Sequence, residues 1–158
     1  MDPSIPQAFL QIPYGIYVLA TPQSIGPRAM VVSWVSQVSS SPPLLMTALR
    51  RNRPAIPAIL AQNIFSLNLL KEHQVSWVDR FKNPHPLEDQ REYFEQIRVG
   101  QEEFYRLKGA LAFFACRVVS RIDPGDHFLI FAEALASSAE KGRPLVTSYC
   151  GKSYGGRT

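Results

Sequence analysis

Hydroxyl side chains followed by a cluster of arginines mark the stretch of this sequence that is best suited to bind a ligand. One apolar run carries Ser33, Ser36 and Ser39, and a second apolar run ends in Arg50-Arg51-Asn52-Arg53. Guanidinium groups form strong, charge-assisted hydrogen bonds to phosphates and carboxylates. Two strands that present hydroxyls and then guanidiniums therefore predict a site for an anion that carries an aromatic ring.

Apolar segments and prolines around this stretch indicate how those side chains are presented. Arg28–Ser39 and Leu44–Leu49 are predicted as strands, and Pro42-Pro43 separates them because proline cannot donate a ladder hydrogen bond. Pro54–Gln62 is predicted as a short helix with a proline at its first position and Asn52 close to its N-cap. The free N–H groups of this helix would point toward the arginines, which favours a phosphate seat.

The rest of the chain favours short strands joined by turns. Further strands are predicted at Tyr14–Thr21, Asn63–Leu70, Leu111–Asp123, Phe128–Ala136 and Pro144–Tyr149. Asp123-Pro124-Gly125-Asp126 is typical of a hairpin turn. This pattern predicts a mainly β fold: a closed, antiparallel, Greek-key-like β-barrel of about seven strands, with two or three inserted helices.

Residues 72–108 differ from this strand pattern. Leu87–Leu107 is predicted to be helical, with a partial apolar stripe formed by Tyr93, Phe94, Ile97 and Phe104. Packing of this stripe against the barrel is favoured over a lid that covers the site. The chain is thus predicted to be a single domain over residues 1–158, with an N-terminal arm at 1–13 and a helical insertion at 72–108.

Composition limits the classes of function. The chain has 158 residues, of which 46% are hydrophobic, and this suits one globular domain with a core. A net charge of +4, with acidic residues spread among the basic ones, argues against a nucleic-acid partner. Neither cysteine lies in a CxxC pair, no metal site is expected, and Cys116 is predicted to be a small buried hydrophobe.

The sequence carries no signal for export, for a membrane span or for a common nucleophilic site. The first residues lack the basic start and apolar core of a signal peptide, and no apolar run approaches the roughly 20 residues of a membrane helix. The expected location is therefore the cytoplasm. A nucleophile elbow, a P-loop and a Rossmann glycine pattern are all missing from the sequence.

Several stretches resemble the flavin reductase-like family of FMN-binding split barrels. Met30–Pro43 is similar to the family's hydroxyl-rich strand with its double proline, and Gly109–Val118 to a later strand. Gly125-Asp126-His127-Phe128 resembles its G-D-H turn, and Pro144–Tyr154 its closing segment. The likeness covers roughly residues 12–71 and 109–155, and it rests on the order and spacing of these motifs.

Two departures from the family pattern concern the contacts to the flavin ring. The chain has Arg28-Ala29-Met30-Val31 where the family often has Asn-Gly-Met-Thr, so a hydroxyl contact is missing there. Glu133 stands where a glycine commonly follows the G-D-H strand. These differences bear on the ring contacts and the substrate rather than on the fold.

The resemblance implies an FMN-binding oxidoreductase, either an NAD(P)H-dependent flavin reductase or a flavoredoxin-like electron carrier, in which a hydride passes from the nicotinamide to bound FMN. It implies a homodimer with the flavin at the subunit interface, and an oxygenase or another electron acceptor as a further partner. It also implies roles for single residues: Ser33, Trp34, Val35 and Ser36 along the isoalloxazine and ribityl chain, Ser39 near the phosphate, Arg50, Asn52 and Arg53 as the phosphate seat, and His127 orienting at the flavin face.

Other interpretations of the same residues remain open. Trp34 could be a core aromatic, Ser39 could be solvated at a strand end, and His127 could be a turn histidine bonded to Asp126 or Asp123. Arg51 is expected to point to solvent, because successive residues of a strand alternate in direction. At the level of function, the alternative is a non-catalytic flavin- or haem-binding protein built on the same barrel.

Overall fold

The computed structural model describes residues 2, 4–22, 28–82 and 90–150 of the chain. The strands are β1 (Tyr17–Thr21), β2 (Arg28–Val32), β3 (Val35–Ser40), β4 (Pro43–Arg50), β5 (Ile64–Leu69), β6 (Phe94–Val99), β7 (Glu102–Leu107), β8 (Ala112–Ile122) and β9 (His127–Ala139). The helices are α1 (Ser4–Phe9), α2 (Ile56–Gln62), α3 (Ser76–Lys82), a 3₁₀ turn at Arg91–Tyr93 and α4 (Thr147–Cys150).

Seven strands form one antiparallel sheet in the order β2-β1-β5-β8-β9-β4-β3, and β6 and β7 form a separate hairpin. The strands β2 and β3 lie at opposite edges of this sheet, yet only Ser33 and Trp34 separate them along the chain. Three extended residue steps reach about 11 Å at most. The sheet therefore has to curl until its two edges nearly meet.

The prediction of a mainly β, antiparallel fold is confirmed. Among the described residues, however, β2 and β3 are not paired with each other by ladder hydrogen bonds. Full closure of the barrel therefore stays a prediction, supported by the two-residue connection between the edges.

The inner face of the curled sheet holds the larger core. Leu19 of β1, Met30 of β2, Phe65 of β5 and Ile130 of β9 are buried there, and Ile59 of α2 packs against them. The helix α2 begins at Ile56, with Ala55 as its N-cap residue and no side-chain cap. Its start is thus two residues later than predicted, and Asn52 does not cap it.

The outer face of β1, β2 and β5 is covered by α3 and the β6–β7 hairpin. Val18 and Val31 pack there against Val78, Phe81 and Leu107. Because β5 alternates in direction, Phe65 and Leu67 enter the inner core while Ser66 and Asn68 face the hairpin.

Two buried polar side chains fasten the hairpin to the sheet. Ser66 Oγ donates to the carbonyl oxygen of Tyr105 at 2.7 Å. Asn68 Nδ2 donates to the carbonyl oxygens of Val18 (3.1 Å) and Tyr105 (3.3 Å), and Asn68 Oδ1 accepts from the Leu107 N–H at 2.8 Å. Both side chains are fully buried, so these bonds satisfy groups that water cannot reach.

The predicted helix over Leu87–Leu107 is wrong in its described part. A 3₁₀ turn at Arg91–Tyr93 leads into β6 and β7, which pair from Phe94 opposite Leu107 to Val99 opposite Glu102. Gly100 has a φ of +61°, which an L side chain rarely adopts and which a tight hairpin turn needs. The spacing of Phe94, Ile97 and Phe104 suits one face of a helix, but in the hairpin Phe94 joins a different hydrophobic cluster from Ile97 and Phe104. The glycine was the sequence signal for the turn. Residues 87–89 of the predicted helix lie outside the described residues.

Two other predicted strands also differ from the structure. Arg28–Ser39 is interrupted at Ser33 and Trp34, where the chain crosses from one sheet edge to the other. The last predicted strand, Pro144–Tyr149, is reduced to two isolated bridges, Lys71 with Pro144 and Gly15 with Val146, before α4 begins. The predicted hairpin turn at Asp123–Asp126 is confirmed, since it joins β8 to β9.

We expect Asn68→Ala to lower the free energy of unfolding by about 2–4 kcal/mol, because the change leaves buried backbone groups of β1 and β7 without a partner. Urea unfolding followed by circular dichroism measures this loss. The matched control is Gln96→Ala, which removes an exposed amide from β6 and should cost less than about 0.5 kcal/mol. Equal midpoints for the two variants would contradict the anchoring role of Asn68.

Candidate functional site

The imidazole of His127 lies against the indole of Trp34. The two ring centroids are 4.7 Å apart and the rings are inclined by 30°, which is a stacked contact. The ring of Tyr14 also belongs to this cluster, with its centroid 6.3 Å from that of Trp34. The fold thus brings together Trp34 and His127, which are far apart in sequence and were predicted to share a site.

The β8–β9 turn holds this histidine in place. His127 Nδ1 lies 2.6 Å from Asp126 Oδ1. The hydrogen bond from His127 is the main reason that the pKa of the exposed Asp126 carboxyl lies below its ordinary value. Arg50, which pairs with His127 across β4 and β9, places Nε 3.9 Å from Asp126 Oδ2.

Four predicted flavin-contact residues divide between the two faces of the sheet. Ser33 is buried, and Val35 packs against the inner core. Trp34 is half-buried and Ser36 is exposed, with its hydroxyl donating to the Gln37 carbonyl oxygen at 3.1 Å. Only Trp34 and Ser36 can therefore offer side chains to a ligand on the outer face, while Ser33 and Val35 could contribute main-chain groups.

The arginine cluster is also divided by its contacts. Arg51 donates from Nε to the Gly125 carbonyl oxygen at 2.8 Å, and its guanidinium lies 4.7 Å from the centre of the Phe128 ring. Arg53 reaches back to β2, where its Nη2 donates to the Val31 carbonyl oxygen at 3.1 Å. Arg51 is thus anchored to the hairpin turn. Its side chain is 45% exposed and that of Arg50 is 47% exposed, so exposure does not distinguish the two arginines as strand alternation had predicted.

Ser39 is not brought to the arginines. It pairs with Leu44 near the start of β4, whereas Arg50 ends that strand six residues later. At about 3.3 Å per residue, this separation is roughly 20 Å. Asn52 is exposed within the turn that follows β4 and could join Arg50 in a common seat.

An apolar patch on the outer face of β4 and β9 lies next to this cluster. We define it by Met46, Ala48, Leu129 and Phe131, which alternate with the inward-facing residues of both strands and sit in the same register. All four are half-buried, and none belongs to a cluster of buried residues within the described chain. Ile122, opposite Leu129, is 53% exposed and extends the patch.

The remaining reactive groups of the described chain are inert or unsuited to metal. Cys116 is fully buried on the inner face, and this burial raises the pKa of its thiol to about 12, as expected for a small hydrophobe. No three His, Cys, Asp or Glu side chains of the described ranges lie close enough to hold a metal ion. None of the helices within those ranges has the length and apolar character to cross a membrane.

Tyr14 was not predicted to belong to the site, and the position of the apolar patch beside Trp34 and His127 was not predicted either. The sequence of Leu44–Leu49 did contain a signal for the patch. Met46 and Ala48 alternate with the inward-facing residues of this strand, and both are apolar where an outer face is usually polar. The interpretation of His127 as a turn histidine bonded to Asp126 agrees with the structure, and its place at a flavin face stays a prediction. The residue is both a turn histidine bonded to Asp126 and a neighbour of Trp34.

Comparison with known proteins finds a matching family and related structures. The sequence model of the family described as "Flavin reductase like domain" matches residues 9–156. FMN reductase (NADH) RutF 2 of Methylorubrum extorquens is 28% identical over 150 residues, which are 94% of this chain and 85% of that protein. The flavin reductase of the styrene monooxygenase from Pseudomonas putida S12 has a TM-score of 0.75 and 28% identity, with 89% of each chain covered.

A second group of relatives is much longer than this chain. Diflavin flavoprotein A 1 of Synechocystis sp. is 26% identical over 148 residues, which are 92% of this chain and 26% of that protein. The chain therefore spans about a quarter of the length of the diflavin flavoproteins that it matches. Since the family match extends over nearly the whole sequence, the chain belongs to the flavin reductase like domain family.

Proposed function

We propose that the chain is an NAD(P)H-dependent flavin reductase that binds FMN on the outer face of β3, β4 and β9. The observation that carries this proposal is the cluster of Trp34, His127, Asp126 and Arg50, in which an aromatic surface and an exposed guanidinium lie side by side. Family membership adds the expectation that the ligand is a flavin.

The donor set of the cluster suits FMN. The indole of Trp34 is half-buried and can contact a flat ring, the exposed Ser36 hydroxyl can bond to a polar edge or to the ribityl chain, and Arg50 can bond to phosphate. Asn52, in the same turn, would complete the phosphate seat, and Arg53 would join it only through the guanidinium N–H groups that do not bond to Val31 and Met30. When bound, the flavin supplies the hydride-accepting chemistry, so the protein's part is to bind, orient and exclude water.

His127 is assigned an orienting role. Hydride transfer needs the two reacting atoms held about 3–3.5 Å apart, and it needs no protein group to take up a proton. The ring of His127 is held by Trp34 and by Asp126, so it can contact the incoming nicotinamide from a fixed position. The FMN reductase relative is named for NADH, which supports a nicotinamide donor here.

The alternative is a flavin- or haem-binding protein without activity of its own, as in a carrier domain. The experiment that separates the two is the oxidation of NADH or NADPH by the purified chain with added FMN. Oxidation that depends on both the chain and FMN supports the reductase. Bound flavin with no oxidation of either nicotinamide would favour the binding protein.

An oxygenase or another electron acceptor is the proposed partner of the reduced flavin. The styrene monooxygenase reductase is by its name one component of such a pair. The diflavin relatives point instead to electron transfer within a longer chain, of which this sequence matches one part. A coupled assay with added cytochrome c as a generic acceptor tests whether reducing equivalents leave the protein.

The first prediction for this site concerns the phosphate. Arg50→Ala should weaken FMN binding about 10- to 100-fold, the equivalent of one charge-assisted hydrogen bond, and should change the affinity for riboflavin less than about threefold. Quenching of flavin fluorescence on titration with protein gives both affinities. Arg51→Ala is the matched control, because its guanidinium is held by the Gly125 carbonyl oxygen. Equal losses for FMN and riboflavin would show that Arg50 does not bind the phosphate.

A second prediction concerns His127. His127→Asn keeps a hydrogen-bonding side chain of similar shape, so we expect the KM for NAD(P)H to rise several-fold, kcat to fall by less than about tenfold, and FMN affinity to stay within about twofold. Steady-state kinetics with saturating FMN measure KM and kcat separately. A thousandfold loss of kcat at unchanged KM would instead assign the residue to the chemical step.

We further propose that the chain is a homodimer whose apolar patch is buried in the subunit interface. The patch adjoins Trp34 and His127 on the same face, so a second subunit seated there would enclose the flavin site. Apolar surface of this kind is otherwise a liability for a soluble protein.

The third prediction tests this interface. Analytical ultracentrifugation should give twice the chain mass of 17.8 kDa for the natural sequence. Phe131→Glu should shift the protein to a monomer and reduce FMN affinity at the same time, because a charge in the interface would be buried without a partner. Leu60→Glu changes an apolar residue of α2 that is 39% exposed, and it should leave the dimer intact. A monomer that binds FMN tightly would refute the shared site.

A further inference from the structure

The imidazole of His127 is held by two contacts at once, one in the ring plane and one on the ring face. Asp126 Oδ1 lies 2.6 Å from Nδ1, and the Trp34 indole stacks at a centroid distance of 4.7 Å. The His127 side chain is only 14% exposed. Both the direction of the ring and its plane are therefore set before any ligand arrives.

The turn before His127, the neighbouring strand β4 and the aromatic cluster carry charged and titratable groups. They are Asp126 in the preceding turn, Arg50 on the neighbouring strand, Asp123 at the far end of that turn and Tyr14 beyond Trp34. Among these, Asp126 alone is within hydrogen-bond distance of a ring nitrogen. Its carboxyl has a lowered pKa, so near neutral pH it is ionised and can only accept a hydrogen bond.

A carboxylate that only accepts requires a proton on Nδ1. In the neutral imidazole the other nitrogen, Nε2, is then an acceptor with a free lone pair. Within the described part of the chain, Nε2 has no hydrogen-bond partner. The ring would thus present an acceptor atom to the outer face rather than an N–H.

We propose that Asp126 is a positioning residue, which fixes the neutral His127 ring with Nδ1 protonated so that Nε2 accepts a hydrogen bond from a donor group on the ligand. This inference rests on the proposed function for the identity of that ligand. In a nicotinamide donor, the group that can donate next to the reacting ring is the carboxamide NH₂.

The state of the ring is measured on the protein without any ligand. Nitrogen-15 NMR of the labelled full chain at about pH 8.5, roughly two units above the ordinary histidine pKa, separates protonated from unprotonated ring nitrogens. The His127→Asn variant assigns the His127 signals by their loss. We expect the Nδ1 of His127 to carry the proton in the natural protein and in Asp123→Ala, the matched control from the same turn.

Two substitutions of Asp126 should move that proton by different amounts. Asp126→Ala removes the acceptor, so the proton should shift largely to Nε2. Asp126→Asn keeps an acceptor oxygen without the charge, so an intermediate population is expected. A ring protonated on Nε2 in the natural protein, or a population that does not change in Asp126→Ala, would overturn the positioning role.

The ligand group is tested by kinetics with two nicotinamides. For NADH, Asp126→Ala should raise KM about fivefold, as expected for one hydrogen bond, with kcat within about twofold, and Asp126→Asn should lie between. For reduced 3-acetylpyridine adenine dinucleotide, a methyl group replaces the NH₂, so the same variant should change KM less than about 1.5-fold. An equal rise of KM for both donors would refute the carboxamide contact.

The two measurements keep this inference separate from the proposed function. If the chain oxidises no nicotinamide, the proposed function and the carboxamide assignment both fail, while the NMR result still decides whether Asp126 sets the ring. If nicotinamide is oxidised but the proton of His127 does not respond to Asp126, the function stands and the positioning role fails. Asp123→Ala should match the natural protein in both measurements.

Discussion

The short connection between β2 and β3 is the constraint on which the rest of the structure depends. Ser33 and Trp34 join strands that lie at the two edges of a seven-stranded sheet, so the sheet can form only if it curls. The curl creates the inner face that buries Met30, Phe65 and Ile130. It also divides the outer face of the sheet into two regions. One region is covered by α3 and the β6–β7 hairpin, and the other carries the apolar patch.

The same curl places the candidate site. The strand β3 begins directly after the crossing and pairs with β4. In turn, β4 pairs with β9 up to Arg50 opposite His127. That register brings the turn before β9 to the end of β4, where Asp126 meets both Arg50 and His127. The site is therefore a product of strand register, because the ladder between β4 and β9 fixes the backbone from which Arg50 and His127 project.

The sequence was informative where local chemistry alone decides the structure. The double proline and the Asp123–Asp126 turn each depend on neighbours within a few residues, and both predictions agree with the structure. The β6–β7 hairpin was mistaken for a helix because Phe94, Ile97 and Phe104 are spaced for one face of a helix, whereas in the hairpin Phe94 lies in a different hydrophobic cluster from the other two. Its anchoring by Ser66 and Asn68 is a long-range contact that no local pattern reveals.

From the sequence, only the side of a strand on which a residue lies could be predicted, and not which side chains meet in the site. Alternation predicted that Arg51 alone would point to solvent, yet Arg50 and Arg51 are about equally exposed. The contact of Trp34 with His127 depends on the curl and on both the β3–β4 and the β4–β9 ladders. The resemblance to a family supplied the residues to examine. It gave no means of telling that Ser33 and Val35 turn inward, or that Ser39 lies at the far end of its strand.

The position of Trp34 within the two-residue crossing has a mechanical consequence. A ligand that contacts this indole would contact the segment that connects the two sheet edges. Ligand binding and the stability of the whole sheet would therefore be thermodynamically linked. Binding at Trp34 would then raise the free energy needed to separate β2 from β1 and β3 from β4. A higher ligand concentration would therefore slow proteolysis and amide exchange throughout the inner core.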